Sequence, residues 1–307
     1  MTLNELRYIV AVARERHFGR AAEACFVSQP TLSVAVKKLE DELGVSLFER
    51  GVGEVSVTAV GDRVVAQAQR VLEEADGVKH LARQGKNPLE GTVRLGAIYT
   101  VGPYLLPQLI PLVMAQAPAM PLVIEENFTA VLSDRLKRGE LDIIIISLPF
   151  DEPGIRTRPL YDEPFVVLMP ASHRWNGSDV VDMDQLAGES VLLLGSGHCF
   201  RDQVLQACPN CLQSSTTGSL QRSLEGGSLE TIRCMVASGV GITVLPCTAA
   251  RGDGFSDGLV RSCRFSGSVP QRRVALAWRR SYPRLEAIDV IQRAVRSAGL
   301  SGVSYLE

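Results

Sequence analysis

One stretch organises this chain. Val64, Ala68, Val71, Ala75, Val78 and Ala82 step by four and three residues in turn, with Val65 and Leu72 beside them. That period predicts a single long helix over residues 59–86 with a coiled-coil seam. Small residues dominate the seam, so a second helix can approach closely; an amphipathic helix docked on its own domain is the plainer alternative. Gly85 and Asn87-Pro88 end the helix and mark a linker. The texture changes across it. Residues 1–60 read as short helices with a small hairpin, whereas from Gly91 onward β-rich runs alternate with helical ones.

At 307 residues the chain is larger than one usual core, so two or three domains are expected. With 46% apolar and 21% charged residues it reads as a soluble globular protein. The net charge of -2 is acidic for a nucleic-acid binder unless binding is confined to one small domain presented in two copies. The densest apolar run, Ile143–Ile146, is too short to cross a bilayer, so no membrane association is expected. The N-terminus MTLNELRYIV has no basic region leading into a long apolar one, and a cytoplasmic location is the expectation. Seven cysteines, an odd number, are then not a structural disulfide framework, and any disulfide should be transient or regulatory.

In the first part Leu3, Leu6, Ile9, Val10 and Ala13 recur at helical spacing, and Phe18, Ala21, Ala22 and Cys25 make a second, shorter face. Ser28 or Gln29 caps a third helix with Pro30 in its first turn, and Gly44 stops it. Leu47 to Thr58, with Val55 and Val57 alternating, suits a hairpin. In the third helix Leu32, Val36, Leu39 and Leu43 form the face expected to pack inward. The opposite side shows Pro30, Thr31, Val34, Lys37 and Lys38. A buried stripe, small residues near the N-terminus and lysines behind them fit the major groove of double-stranded DNA. Thr31, Ser33 and Val34 would meet base edges, while Lys37 and Lys38 would neutralise phosphates. The short turn through Val27-Ser28 is that of a helix-turn-helix, although such helix pairs have other uses.

The run HFGRAAEACFVSQPTLSVAVKKLEDELGVSLFER, His17 to Arg50, followed by Thr58 and Gly61, resembles the winged helix-turn-helix of LysR-type transcriptional regulators. The resemblance extends over essentially the whole chain. It implies an α plus α/β architecture: a DNA-binding domain at 1–58, a linker (dimerisation) helix and hinge at 59–88, and a regulatory domain at 89–307. The last resembles periplasmic binding proteins, with subdomain I at 89–163 and 269–307 and subdomain II at 164–268. It also implies a homotetramer built as a dimer of dimers, double-stranded promoter DNA bound through Gln29, Pro30, Thr31, Ser33, Val34, Lys37, Lys38 and Arg50, and RNA polymerase as a partner. The wing, Gly51 to Val57, departs from the pattern: it has no Lys or Arg and carries Glu54, so wing phosphate contacts stop at Arg50.

The third part alternates Val93–Ile98, Leu122–Asn127, Leu141–Ser147, Phe165–Met169, Val191–Leu194, Ile242–Leu245 and Val274–Trp278 with helical patterns such as Ser228–Ser238 and Pro283–Ala298. This predicts α/β units around mostly parallel sheet, in two subdomains with a ligand-sized cleft. Within it lies VLLLGSGHCFRDQVLQACP, Val191 to Pro209. A β run ends in Gly195-Ser196-Gly197 and a helix starts around Cys199. A cysteine there meets backbone N–H groups and the positive helix end, which favour a thiolate. His198 and Arg201 can add positive charge, and Asp202 lies one turn on. Cys25, Cys234, Cys247 and Cys263 read as small buried hydrophobes, the last two at or near strand ends. A thiolate that attacks one oxygen of a peroxide becomes a sulfenic acid, which a second thiol can condense to a disulfide. Cys208 is the natural second thiol. If residues 199–208 are helical, nine residues rise about 13 Å, whereas a disulfide needs Cα atoms within about 7 Å. Bonding would then unwind the segment.

GHCFRDQ with a cysteine nine residues after the first is similar to the peroxide-sensing members of the same family, as are AIYTVGPYLLP (Ala97–Pro107), ENFT (Glu126–Thr129), SLETIR and GITVLP (within Ser228–Pro246). This resemblance implies a hydrogen-peroxide sensor that activates antioxidant genes, with Cys199 the peroxidatic thiol and Cys208 the resolving one. It implies a peroxide pocket of Thr100, Thr129, His198, Asp202 and Arg272. By themselves Thr100 and Thr129 also read as helix caps and Arg272 as a surface charge. Cys211 makes a C-x-x-C with Cys208, a spacing outside the family pattern, and can compete as the resolving partner. One such pair is a poor zinc site without a second, so neither a metal nor another cofactor is expected. A regulator of this family answering a small organic effector, and a thiol peroxidase, are the competing readings.

Overall fold

A computed structural model describes residues 1–50, 55–84, 89–209, 226–250 and 258–306. Three helices open the chain. Helix α1 (Leu3–Glu15) starts on a capping box, Thr2 with Glu5. Helix α2 (Phe18–Ala24) is capped by the His17 ring. Helix α3 (Gln29–Leu43) is capped by Ser28, has Pro30 in its first turn, and ends where Gly44 turns left-handed at φ +68°. The hairpin β1 (Phe48–Arg50) and β2 (Val55–Val57) follows, then the long helix α4 (Ala59–Gln84). Thr58 ties the two together: its hydroxyl donates to Ser46 O (2.9 Å) and accepts from Gly61 N–H (2.8 Å). A Cβ on Gly61 would lie 2.1 Å from Leu47 O, so only glycine lets α4 start this close to the hairpin. Leu6, Ile9, Val12, Leu32, Val36, Leu39, Leu47 and Ala68 bury the common core. Leu43, expected inside, is 39% exposed. It sits at the end of α3, where it lines a groove of about 670 Å³ with Val60, Val64 and Val71 of α4.

The remaining chain builds a mixed sheet with two cores. The strands are β3 (Val93–Ile98), β4 (Leu122–Asn127), β5 (Ile143–Leu148), β6 (Ile155–Pro170), β7 (Val180–Val181), β8 (Val191–Leu192), β9 (Ile242–Pro246), β10 (Val260–Phe265), β11 (Gln271–Arg279) and β12 (Ser304–Tyr305). The helices are α5 (Gly102–Gln116), α6 (Thr129–Lys137), α7 (Cys199–Ala207), α8 (Leu229–Ala237) and α9 (Leu285–Ser297). The sheet runs β4-β3-β5-β11-β6-β10-β7, with β9 also on β6 and β8 on β9. The expected mostly parallel sheet is found only toward its ends. β3 pairs in parallel with β4 and β5, and β8 with β9, whereas β11 and β6 pair antiparallel with their neighbours. The reason is that β6 and β11 are themselves the crossings between the two halves, made by direct strands without a reversing helix. Residues 155–164 of β6 pair with β11; residues 165–170 pair with β9 and β10. One core gathers Leu95, Ile98, Leu109, Ile144, Leu276 and Ile288; the other gathers Phe165, Leu192, Phe200, Ile232 and Leu245. The site lies where these two halves meet.

No helix among the described residues is long and apolar enough to cross a membrane. Helix α4 is not free of the second unit. Arg279 Nε lies 2.6 Å from Glu73 Oε1, both side chains nine-tenths buried, and Arg279 also donates to Leu136 O and to Leu141 O (2.5 Å).

Candidate functional site

The loop before α7 is bent by Gly197, whose φ of +96° lies where glycine alone is relaxed. It delivers His198 to the N-cap and Cys199 to the first position of α7. No side chain caps this helix, so its first N–H groups face the sulfur and whatever binds beside it. Cys199 is a half-buried free thiol. Around it Ile98, Tyr99, Thr100, Asn127, Phe128, Thr129, Gly197 and His198 line a cleft with room for about one water-sized molecule. Tyr99, Phe128 and His198 stack edge to face around it, with ring centroids 4.7–6.0 Å apart.

The polar groups of this cleft are unevenly satisfied. The Thr129 hydroxyl is buried and has no hydrogen-bond partner among the described residues, a condition that calls for a ligand or solvent molecule. Thr129 opens α6 but does not cap it, that place belonging to Phe128. Thr100 Oγ1 accepts from Arg272 Nη1 (2.8 Å), and Thr100 O accepts from Nη2 (2.8 Å). Arg272 is therefore no surface charge: its side chain is fully buried, and its guanidinium lies 5.4 Å over the Phe200 ring. Burial works against its charge, but Glu163, with further acidic groups nearby, raises Arg272 above its ordinary value. The permanent positive charge of the site is Arg272. His198 does not supply it, because burial lowers its pKa, opposed only by a hydrogen bond to the Gly227 carbonyl. Arg201 is spent on anchoring the loop, Nη1 donating to Leu194 O at 2.6 Å.

Of the expected pocket, the structure brings together Cys199, His198, Thr100 and Thr129 and joins Arg272 to them through Thr100. Asp202 stands apart, exposed on α7 and outside the cleft lining. Residues 199–207 are helical as expected, with Cys208 at the C-cap, its N–H donating to Val204 O (2.8 Å). Cys208 is buried and disulfide-bonded, while Cys199 is not; Cys211 lies outside the described residues. Of the cysteines read as buried hydrophobes only Cys263 is buried, and it sits within β10 and not at its end; Cys25 and Cys247 are intermediate. Cys234 is exposed, because it falls on the outer face of α8 beside buried Ile232, Arg233 and Val236. Among the described residues no group of His, Cys, Asp and Glu could hold a metal ion.

The sequence did not single out Glu163, Thr248, Phe200 or Gln203. Glu163 is fully buried, opposite Arg272 in the β6–β11 register. Gln203 Nε2 donates to Ser147 Oγ (2.8 Å) and Leu148 O (3.3 Å), tying α7 across the cleft. An acid entering an apolar strand, EPFVVLM, was the one available signal.

The second candidate surface is α3. Gln29, Pro30, Thr31, Val34, Lys37 and Lys38 are exposed and Ser33 is half-buried, while Leu32, Val36 and Leu39 face the core. Val34 is 69% exposed, a large apolar side chain with no packing role in the isolated chain. Lys37 pairs with Asp41 at the surface (2.9 Å), and exposed Lys38 reaches the buried carboxylate of Glu5 (3.6 Å). Arg50 ends β1; the wing residues 51–54 lie outside the described residues.

Two family models match the chain. The bacterial regulatory helix-turn-helix protein, lysR family, covers residues 3–62, and the LysR substrate binding domain covers residues 86–299. The DNA-binding transcriptional dual regulator OxyR of Escherichia coli is 38% identical over 97% of this chain and 95% of its own. A hydrogen peroxide-inducible genes activator of Haemophilus influenzae is 36% identical, over 96% of each chain. Among solved structures, a full-length OxyR mutant from Pseudomonas aeruginosa matches with a TM-score of 0.86 and 54% identity over 100% of this chain and 98% of that one. A Corynebacterium glutamicum OxyR mutant with bound hydrogen peroxide matches at 0.62 and 32%, over 97% and 93%. With both family models in place along the chain and relatives of this similarity across its length, the chain belongs to the LysR family of bacterial transcriptional regulators and, within it, to the OxyR group.

Proposed function

We propose that this chain is a hydrogen-peroxide-sensing transcriptional activator, with Cys199 the peroxidatic thiol and Cys208 the resolving one. The observation that carries the reading is the cleft itself. A thiol at an uncapped helix start opens onto space for a molecule the size of water, beside an unpartnered buried hydroxyl and a fixed guanidinium. The Cys199 thiolate attacks one oxygen of the peroxide, the O–O bond breaks, and the departing hydroxide takes a proton and leaves as water. Thr129, Thr100 and His198 hold the two oxygens, and Arg272 balances the negative charge that moves between them. Asp202, exposed on α7 one turn beyond Cys199, handles protons exchanged with solvent. The sulfenic acid then condenses with Cys208, which enters as a thiol after a dithiol reductant, itself oxidised to a disulfide, has reduced the bond that Cys208 makes in this structure. The sulfenic oxygen leaves as water, and one turn after another of α7 is lost, since the helix holds the two residues about 13 Å apart. An organic effector is disfavoured by the size of the cleft.

In this reading residues 1–58 bind double-stranded promoter DNA through the exposed face of α3 and Arg50, residues 59–88 pair the chains, and residues 89–307 report the redox state. The working form is a homotetramer in the cytoplasm, acting on RNA polymerase. It is not an enzyme: each chain consumes one peroxide per reduction. The experiment is a mass-spectrometric map of thiol states before and after one equivalent of peroxide, with Cys199→Ser beside the native chain. The expected result is a 199–208 linkage in the native chain and loss of promoter activation in the variant. A variant that still responds to peroxide would refute the proposal, and a 199–211 linkage as the product would make Cys211 the resolving partner instead. Catalytic turnover of peroxide without reductant limitation would favour a peroxidase.

A further inference from the structure

We propose that Glu163, 0% exposed and facing Arg272 across the β6–β11 pair, is a positioning residue that fixes the Arg272 guanidinium and, through it, the Thr100 hydroxyl at the thiol site. The inference deepens the peroxide reading and rests on it for the identity of the oxidant.

The carboxylate is fully engaged. Oε2 accepts from Arg272 Nε and lies 2.7 Å from Nη2 as well; Oε1 accepts from Thr248 N–H (3.1 Å) and from the Thr248 hydroxyl. Arg272 in turn spends Nη1 on Thr100 Oγ1 and Nη2 on Thr100 O. A guanidinium has five N–H hydrogens. Counting these contacts leaves one, on Nη1, without a partner among the described residues, and Nη1 is the nitrogen that reaches the Thr100 hydroxyl. The arrangement does three things. It sets the plane of the guanidinium so that this last N–H is available to an oxygen in the cleft. It occupies a lone pair of Thr100 Oγ1, so that the hydroxyl hydrogen points elsewhere and can be donated. It also neutralises most of a buried charge that would otherwise act on Cys199 undivided.

The position in the fold is equally specific. Glu163 is the last residue but one of the β6 segment that pairs with β11, before the strand passes into the second half of the sheet. Thr248 belongs to the second half and Thr100 to the first. Phe200, the residue after Cys199, packs on the Arg272 guanidinium and lies edge-on to Phe165 (4.9 Å). One carboxylate thus registers both halves against the thiol helix.

Glu163→Gln is nearly isosteric and uncharged. Its amide nitrogen must face either the Thr248 donors or the Arg272 donors, so one set is broken, and Arg272 loses its counter-charge. Three measurements on the full-length protein test the idea: the rate of Cys199 oxidation by peroxide, the rate of its alkylation by iodoacetamide, and the pH profile of that alkylation. In folded Glu163→Gln the peroxide rate is expected to fall about tenfold or more. Alkylation should hold or quicken, and its acid limb should move to lower pH by about half a unit or more. Glu163→Asp keeps the charge on a shorter arm, so its alkylation profile should stay with the native one while its peroxide rate lies between the other two. If both rates fall by one factor with no movement of the pH profile, Glu163 merely supports the fold and the proposal is wrong. Should Glu163→Gln fail to fold, Thr248→Val removes the hydroxyl donor from the same carboxylate and leaves the backbone N–H and the ion pair; an unaltered peroxide rate there overturns the proposal. A native chain inert to peroxide refutes the peroxide reading alone, because the alkylation profile still reports on Glu163.

Discussion

At the scale of residues, a buried hydroxyl with nothing to bond is the most telling single group. Thr129→Val removes a donor that no described residue uses, so the change should leave stability within about 0.5 kcal/mol of the native chain. Cys199 oxidation should nevertheless slow by about ten- to a hundredfold; stopped-flow oxidation and thermal melting on one sample separate the two effects. His198 makes a second case. Burial lowers its pKa in the folded chain below the ordinary 6.5. Between the two values the unfolded chain holds more protons, so stability rises with pH through this window and is complete above about pH 7. Melting temperature should fall as pH drops from 7 toward 5, and His198→Phe, which keeps the ring stacking, should flatten that slope; an equal slope in both proteins would remove His198 as its source. The thiol itself was legible in sequence because glycines and polar residues around Cys199 announce a loop that meets a helix. The charge beside it was not. Arg272 is 109 positions from Glu163, and no local pattern distinguishes a buried arginine from a surface one. Cys234 was misread for a related reason: its neighbours in sequence are buried, but the angle between adjacent helix residues turns it outward.

At the scale of elements, α7 is short and held by few contacts. It buries Phe200 and Val204 in the second core and reaches the first half through Gln203, which bonds Ser147 and Leu148 of β5. The Gln203 oxygen is buried without a partner among the described residues, so its amide is only half satisfied. Gln203→Ala should therefore cost no more than about 1 kcal/mol overall, yet loosen the helix where it must unwind. Sulfenic acid formation should proceed at the native rate while the following disulfide step quickens, as quenched-flow thiol mapping can resolve. A disulfide step no faster than native would mean that the Gln203 contact does not restrain the helix. The strands show why elements were unequally legible. Ile143–Ile146 and Ile242–Leu245 are buried on both faces and read as unbroken apolar runs. The first half of β6, Ile155–Glu163, interleaves arginines and Pro159, and β10 alternates Arg261, Ser262 and Arg264 with apolar residues. Both are strands because partners pair with them from distant parts of the chain, and local composition carries no trace of those partners.

At the scale of the whole molecule, a redox change in one unit has to reach a helix pair at the other end. The long helix was legible from its period, including its role in separating the chain, but its contact with the regulatory unit was not. Glu73 lies one position before Glu74, off the apolar seam of the helix. In the structure it is nine-tenths buried against Arg279, with Ser281 donating to its second oxygen. Arg279 ends β11, the strand that carries Arg272 seven residues earlier. A single strand, with a register shift between Val274 and Ala275, thus has the thiol site at one end and the α4 contact at the other. If that strand transmits the change, Glu73→Gln should leave Cys199 oxidation at the native rate, because it touches nothing in the cleft. It removes the charge that holds α4 to Arg279, and breaking a buried pair of this kind costs about 3–5 kcal/mol at the contact. DNA affinity should then differ less between the reduced and oxidised forms than in the native chain, and fluorescence anisotropy on a promoter duplex in each redox state measures the ratio. A ratio equal to the native one, in a variant that folds and oxidises normally, would mean that the signal reaches α4 by another route, leaving the β11 ion pair as a fastening and nothing more.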